Sequence, residues 1–252
     1  MNLEVKIVKV LDLFGARLLK HLLWIIMASF LIIPLSALSQ SVQEVVDFIN
    51  ITQSKMEKKI RSYTCHVTNI SQKLTKTGKI KSTDTTYFMV TYEHEQQKWI
   101  PVDKNGELIS ADKDRQLSKS KAGKKQNSKA NFSPFDCFSP EQRGNYNFKL
   151  LGHEDQGATL KLQIIPLRKD DKLIQGTVWV DAESYVVRRM SFGPAKNPKF
   201  VKLLVMKIDF APVQEGIWLP KHIEVEGRGK ILLFKFQFRS EQFYRDYKVV
   251  FN

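Results

Sequence analysis

The chain has little cysteine, little histidine and few carboxylates. Two cysteines among 252 residues exclude a disulfide scaffold and a thiolate metal centre. Of the 5 histidines, four follow residue 39. These are His66, His94, His153 and His222; they fall on expected strands or turns, and none is paired at metal-ligand spacing. Glu93-His94-Glu95 lacks the helical two-histidine spacing of a zinc protease. Ser118-Lys119-Ser120-Lys121 fits a nucleophile-lysine pattern only because that stretch consists of Ser and Lys. Glu224 and Glu226 alternate with Ile223 and Val225, as on a wet sheet surface. These absences predict a protein with no catalytic constellation, no metal and no cofactor.

Long apolar runs are also scarce. Only Leu22 to Leu38 is continuously uncharged, and Lys6, Lys9, Arg17 and Lys20 precede it, the pattern of an export signal. Ala37-Leu38-Ser39 supplies a small-x-small cleavage site, so residues 1–39 are expected to be a signal peptide and 40–252 one exported domain, an uncleaved membrane anchor being the alternative. No cysteine sits at that site, which excludes a lipoprotein precursor. Export permits a disulfide between Cys65 and Cys137, but two cysteines at one spacing leave a bridge and two free thiols equally open. Asn50, Asn69 and Asn131 each begin a glycosylation sequon, relevant only in a eukaryotic secretory pathway.

Acidic residues number 26 against 40 Lys and Arg, a net charge of +14. Lys113 to Lys129 alone contributes +6, in a Ser/Lys-rich stretch nearly free of apolar residues, the composition of a solvated loop. No aromatic residues interleave these lysines, which argues against nucleic acid. An anionic membrane surface touched transiently, or an acidic partner, suits the charge better.

What is present is mostly strand. Ser41 and Glu44 read as a capping box, and Val42, Val45, Val46, Ile49, Met56 and Ile60 recur at helical spacing, predicting one amphipathic helix. From Tyr63 the period changes to two. A second strand, about Thr83 to Glu93, sets Thr86, Phe88, Val90 and Tyr92 on one face. Lys98 to Val102 and Glu107 to Ser110 flank the turn Asp103-Lys104-Asn105-Gly106. Regularity breaks over 111–145, where the basic loop gives way to Phe132-Ser133-Pro134-Phe135-Asp136-Cys137-Phe138; its three Phe predict a lid packed over the sheet. Leu160, Leu162 and Ile164 then alternate cleanly, and the chain from Gly176 on adds at least five strands. One of them has Leu204, Met206, Ile208 and Phe210 on one face, and another has Leu232, Phe234, Phe236 and Phe238. About ten antiparallel strands, one helix and one lid imply a mainly β (α+β) fold, a barrel or strongly curved sheet.

The motif order resembles the LolA-like family of outer-membrane lipoprotein-sorting proteins. It is carried by the capped helix leading into Tyr63, by Tyr146-Asn147-Phe148-Lys149-Leu150-Leu151-Gly152, and by Gly176 through Asp181 with Tyr185 and Arg188. Gly216-Ile217-Trp218-Leu219-Pro220 and Tyr244-Arg245-Asp246-Tyr247 complete it. The resemblance implies an incomplete antiparallel barrel around the helix, with a lid over a hydrophobic cavity. It further implies a monomeric, periplasmic carrier of lipoprotein acyl chains or other lipids. Its partners would be an inner-membrane transporter complex and an outer-membrane acceptor. The expected lining is Phe88, Val90, Leu162, Ile164, Leu204, Met206, Ile208, Phe234, Phe236 and Phe238, under a lid of Phe132, Phe135 and Phe138. A second expectation is a non-transporting envelope sensor or scaffold that binds a protein partner. A hydrolase would require a histidine beside a carboxylate in a cleft.

Overall fold

The computed structural model describes residues 41–94, 96–109, 133–232 and 234–252. The expected signal peptide, the basic stretch 113–129 and Phe132 lie outside these residues. From Val42 to Asn252 the chain forms one unit.

Helix α1 (Val42–Lys59) carries Glu44 in its first turn and Lys58 and Lys59 in its last, the charge order that a helix dipole favours. Val45, Val46, Ile49 and Met56 are buried, as their spacing predicts. Ile60, read as the end of the helical stripe, instead begins the first strand.

Ten strands follow: β1 (Ile60–Leu74), β2 (Ile80–Glu93), β3 (Gln96–Val102), β4 (Tyr146–Glu154), β5 (Thr159–Pro166), β6 (Ile174–Asp181), β7 (Val187–Pro194), β8 (Val201–Gln214), β9 (Ile217–Ile231) and β10 (Phe234–Phe251). They form one sheet in the order β3-β2-β1-β10-β9-β8-β7-β6-β5-β4. Short connections make sequence neighbours into spatial neighbours. The exception is β1 beside β10, where the last strand returns to the edge that the first left free. β3 and β4 end the order unpaired with each other, so the sheet is an antiparallel barrel left open.

Two expected elements differ. Only an isolated bridge from Val102 to Leu108 forms where a strand from Glu107 was expected. The Asp103 carboxylate accepts the N–H groups of Asn105 and Glu107 and commits that segment to a turn. Leu232, read as a strand residue, lies in the β9–β10 connection at φ 52.

The main core joins α1 to the inner face of β4–β8 and contains Val45, Val46, Ile49, Phe138, Leu162, Ile164, Val178, Met190 and Ile208. Gly176 permits this packing, because a Cβ there would stand 2.2 Å from the Ser191 carbonyl oxygen and 2.6 Å from the Phe192 Cα. The β6–β7 turn is held by Asp181. One of its carboxylate oxygens accepts from the Glu183 and Ser184 N–H groups and the Ser184 hydroxyl; the other pairs with Arg188. Tyr185 then stacks on Phe48 of the helix at 4.7 Å.

Candidate functional site

The inner face of the sheet has two halves of different character. Over β4–β8 it is filled. The segment expected as a lid enters as a short 3-10 helix, Asp136–Phe138; Phe138 is buried and stacks on Phe148 at 5.6 Å, and Phe135 meets Phe210 at 5.5 Å. Leu162, Ile164 and Ile208 lie within this packed core, with Met206 against it. These four expected lining residues therefore hold the fold together around α1.

The other half, β9–β10–β1–β2–β3, carries its own cluster. Cys65, Val67 and Val90 are buried there, with Tyr63, Phe88, Trp99, Tyr244 and Tyr247 packed around them and partly exposed. The rings contact in series: Tyr63 stacks on Tyr92 at 5.0 Å, Phe88 meets Trp99 edge-on at 5.5 Å, and Trp99 meets Tyr244 at 6.4 Å. A cavity of about 320 Å³ adjoins this cluster, lined by Ala211, Pro212, Val213, Leu219, Pro220, Tyr244 and Tyr247 together with Lys221 and Asp246. That volume is at the lower end of the ~300–1,000 Å³ of small-ligand sites.

Beyond the aromatic cluster the same face turns polar. Asn69 donates to the Thr86 hydroxyl at 3.1 Å, and Ser240 donates to the Asn69 side-chain oxygen at 3.0 Å. The stripe accounts for the Asn69 side chain without a glycan. Past it, Phe236 and Phe238 lie over Gly229 and Gly227, their cross-strand partners. Phe234 is 78% exposed. The expected continuous lining is thus divided, with Phe88 and Val90 on one side of a hydroxyl-amide stripe and Phe236 and Phe238 on the other. Leu204 pairs with Gly227 on that second side.

Tyr63, Trp99, Tyr244 and Tyr247 were absent from the expected lining. Tyr244 and Tyr247 are three residues apart, which alternation assigns to opposite faces. A bulge sets Arg245 opposite His66 and Lys248 opposite Thr64, three steps on β10 against two on β1. With Asp246 at φ 58, both tyrosines reach one cluster.

Burial sets the chemistry of this cluster. It pushes the Cys65 thiol from 9.0 up to about 12, and it raises the Tyr63, Tyr244 and Tyr247 phenols well above their usual value. A thiol held protonated is a poor nucleophile. Cys65 and Cys137 are free and buried in separate clusters, so the bridge left open above does not form.

His66 stands 3.4 Å from Asp246, beside a cavity of about 170 Å³ that also includes Asp103, Lys104 and Arg245. This meets the histidine-carboxylate geometry that a hydrolase would require, with no Ser, Thr or Cys among the lining residues to serve as nucleophile. His222 lies 3.4 Å from Asp209 and 3.7 Å from Glu241 and stacks on Phe243 at 4.7 Å. His94 and His153 are exposed. Among the described residues, no group of three or more His, Cys, Asp or Glu could hold a metal ion, and no helix is long and apolar enough to cross a membrane.

Helix, open ten-stranded sheet and half-covered inner face define an incomplete antiparallel barrel with an aromatic cluster on one half of its inner face. The chain belongs to the family of unknown function DUF5686, whose model matches residues 118–247, just over half of it. It is similar in fold to an outer-membrane lipoprotein-sorting protein domain from Vibrio parahaemolyticus, at 14% identity and TM-score 0.45, covering 81% of this chain and 91% of that one. A LolA superfamily protein from Nitrosomonas europaea is 11% identical with TM-score 0.41 over 84% and 94% of the two chains. A DUF1329 family protein from Desulfovibrio piger is 15% identical with TM-score 0.39 over the same shares. No curated protein matches the sequence.

Proposed function

We propose that this protein is a periplasmic carrier that binds the acyl chains of lipoproteins or other lipids on the open half of its inner face, without catalysis. The observation that carries this reading is the partly exposed cluster of Tyr63, Phe88, Trp99, Tyr244 and Tyr247 beside a cavity of about 320 Å³. Leaving one long acyl chain in water costs about 10 kcal/mol at ~0.8 kcal/mol per methylene, so a soluble shuttle must offer apolar surface to it. The Thr86, Asn69 and Ser240 stripe suits an ester or amide at the end of such a chain, since its hydroxyl and amide groups both donate and accept. Release requires a site not fully enclosed, which favours the open half over the packed half. An inner-membrane transporter complex as donor and an outer-membrane acceptor complete the proposed route.

Lipid extraction and mass spectrometry of the protein purified from the cell envelope test this reading. Bound lipid is expected in the native protein, and at least a tenfold loss is the order expected in Phe88→Asp. If Phe88→Asp folds normally and retains as much lipid, the aromatic cluster is not the site. Failure of the native protein to release a labelled lipoprotein from spheroplasts would leave the sensor or scaffold reading in its place.

A further inference from the structure

Two connections at one end of the sheet carry bulky apolar side chains where glycine or asparagine is preferred. Ile231 pairs with Phe234, so the β9–β10 connection has two residues, and its first, Leu232, sits at φ 52. Phe200, in the β7–β8 connection, sits at φ 71. A left-handed backbone is unfavourable for bulky residues, and two-residue hairpin loops favour Asn-Gly. Nor do these side chains gain burial: Leu232 is 80% exposed, Phe234 78%, Phe200 52% and Ile231 51%. The Lys230 N–H donates to the Phe200 carbonyl at 2.9 Å and joins the two turns into one projection. The β1–β2 hairpin ends beside it, because Lys73 pairs with Phe238, and it adds the exposed Ile80.

This end is strongly basic, although the β5–β6 connection, joined to it by the Ala195 N–H donating to the Leu173 carbonyl, carries Asp170 and Asp171 among Arg168, Lys169 and Lys172. Segments 72–83, 195–202 and 227–238 hold ten Lys or Arg and no Asp or Glu. Among the described residues, none of the ten is in an ion pair; Lys199 lies over the Phe200 ring at 5.2 Å. At the opposite end Glu93, Glu154, Asp155, Asp181, Glu183 and Glu215 stand among Lys58, Lys59, Arg61, Lys98 and Lys248, so the charge there is mixed. Exposed apolar tips ringed by unpaired cations match a bilayer of anionic lipids, whose headgroups pair with lysine while apolar side chains reach the acyl boundary. A purely acidic peptide would satisfy the cations and leave Leu232 and Phe234 in water.

We propose that this end of the sheet, led by Phe200, Leu232 and Phe234, docks on an anionic membrane surface and orients the barrel with its opposite, mixed-charge end away from the lipid. The proposal does not depend on the inner face carrying lipid. Co-purified lipid and vesicle docking are read separately, so either can fail alone.

The test uses the full chain with an environment-sensitive nitrobenzoxadiazole dye on Leu232→Cys, or on Glu215→Cys at the opposite end; Cys65 and Cys137 are buried and stay unlabelled. With phosphatidylglycerol vesicles, dye at 232 should shift to the blue and brighten, and dye at 215 should not. Any insertion elsewhere in the chain is common to both. Phosphatidylcholine vesicles should give a weaker response, and Lys199→Glu, Lys230→Glu and Lys235→Glu combined should weaken docking by roughly a hundredfold. An unchanged spectrum at 232, or an equal shift at 215, overturns the proposal. So does an equal response to soluble polyglutamate, which would assign the cations to an acidic peptide.

Discussion

Tyr247 donates its phenol proton to the carbonyl oxygen of Pro220 at 2.7 Å, tying the final strand to the start of β9. The bond crosses from the Gly216-to-Pro220 motif to the Tyr244-to-Tyr247 motif, so two sequence signatures read separately form one structural joint. Nearby, the Met56 sulfur accepts from the Trp218 N–H at 3.0 Å, which brings α1 into the same joint. Tyr247→Phe keeps the ring and removes the proton, so a loss of about 1 kcal/mol is expected from one unpaired carbonyl. Urea unfolding at neutral pH measures it, and an unchanged midpoint would show that water replaces the bond.

Thiol reactivity distinguishes free cysteines from a bridge. Cys65 and Cys137 are each 2% exposed, and burial raises both thiols. Neither should react with a disulfide reagent such as Ellman's under native conditions, and both should react in denaturant without reduction. A denatured chain showing no thiol until reduced would establish a disulfide instead.

Stability should fall at alkaline pH. Cys65, Tyr63, Tyr244 and Tyr247 are all raised by burial above ordinary values of 9.0 and 10.0. Their neutral forms are thus favoured in the folded state, and their contribution is complete below the unfolded-state values. As pH rises through 9 and 10 the unfolded chain loses protons first, and each group removes about 1.4 kcal/mol per pH unit. The urea midpoint should be flat to about pH 8.5 and then fall steeply. A midpoint constant to pH 11 would contradict the burial of these hydroxyls.

Two glycines should differ in what a methyl group costs. A Cβ at Gly227 would lie 2.3 Å from the Phe238 ring, and that half-buried ring can move, so Gly227→Ala should cost ~1–3 kcal/mol. Combining it with Phe238→Leu should recover part of the loss. At Gly176 the obstacle is the backbone of β7, which cannot rotate away, so Gly176→Ala should cost more, with no single partner change restoring it. Thermal unfolding of the three variants checks the order; equal costs at 176 and 227 would contradict it.

The helix stripe, the period-two strands and the turn at Asp103 to Gly106 were legible in the sequence, because each depends on residues a few positions apart. Alternation also sorted most of β5, β8 and the first half of β10 onto the correct faces. It could not have brought Tyr244 and Tyr247 to one face, because the bulge opposite Thr64 and His66 advances the register by one residue. It failed at Leu162, Ile164 and Ile208, which were placed on the correct face but read as lining. An inner-facing residue looks the same in sequence whether a helix covers it or solvent does.

The sequence by itself determined that this chain is one helix and a barrel or strongly curved sheet of about ten antiparallel strands, since spacing and turn chemistry are local; that the sheet stays open around the helix was implied only by the family resemblance. Tertiary structure alone decided which half of the inner face α1 and Phe138 fill, where the aromatic cluster gathers, and that Phe200 and Leu232 project side by side among lysines. Those outcomes rest on contacts between residues far apart in the chain, where the free energy of burial depends on what arrives opposite rather than on what stands next in line.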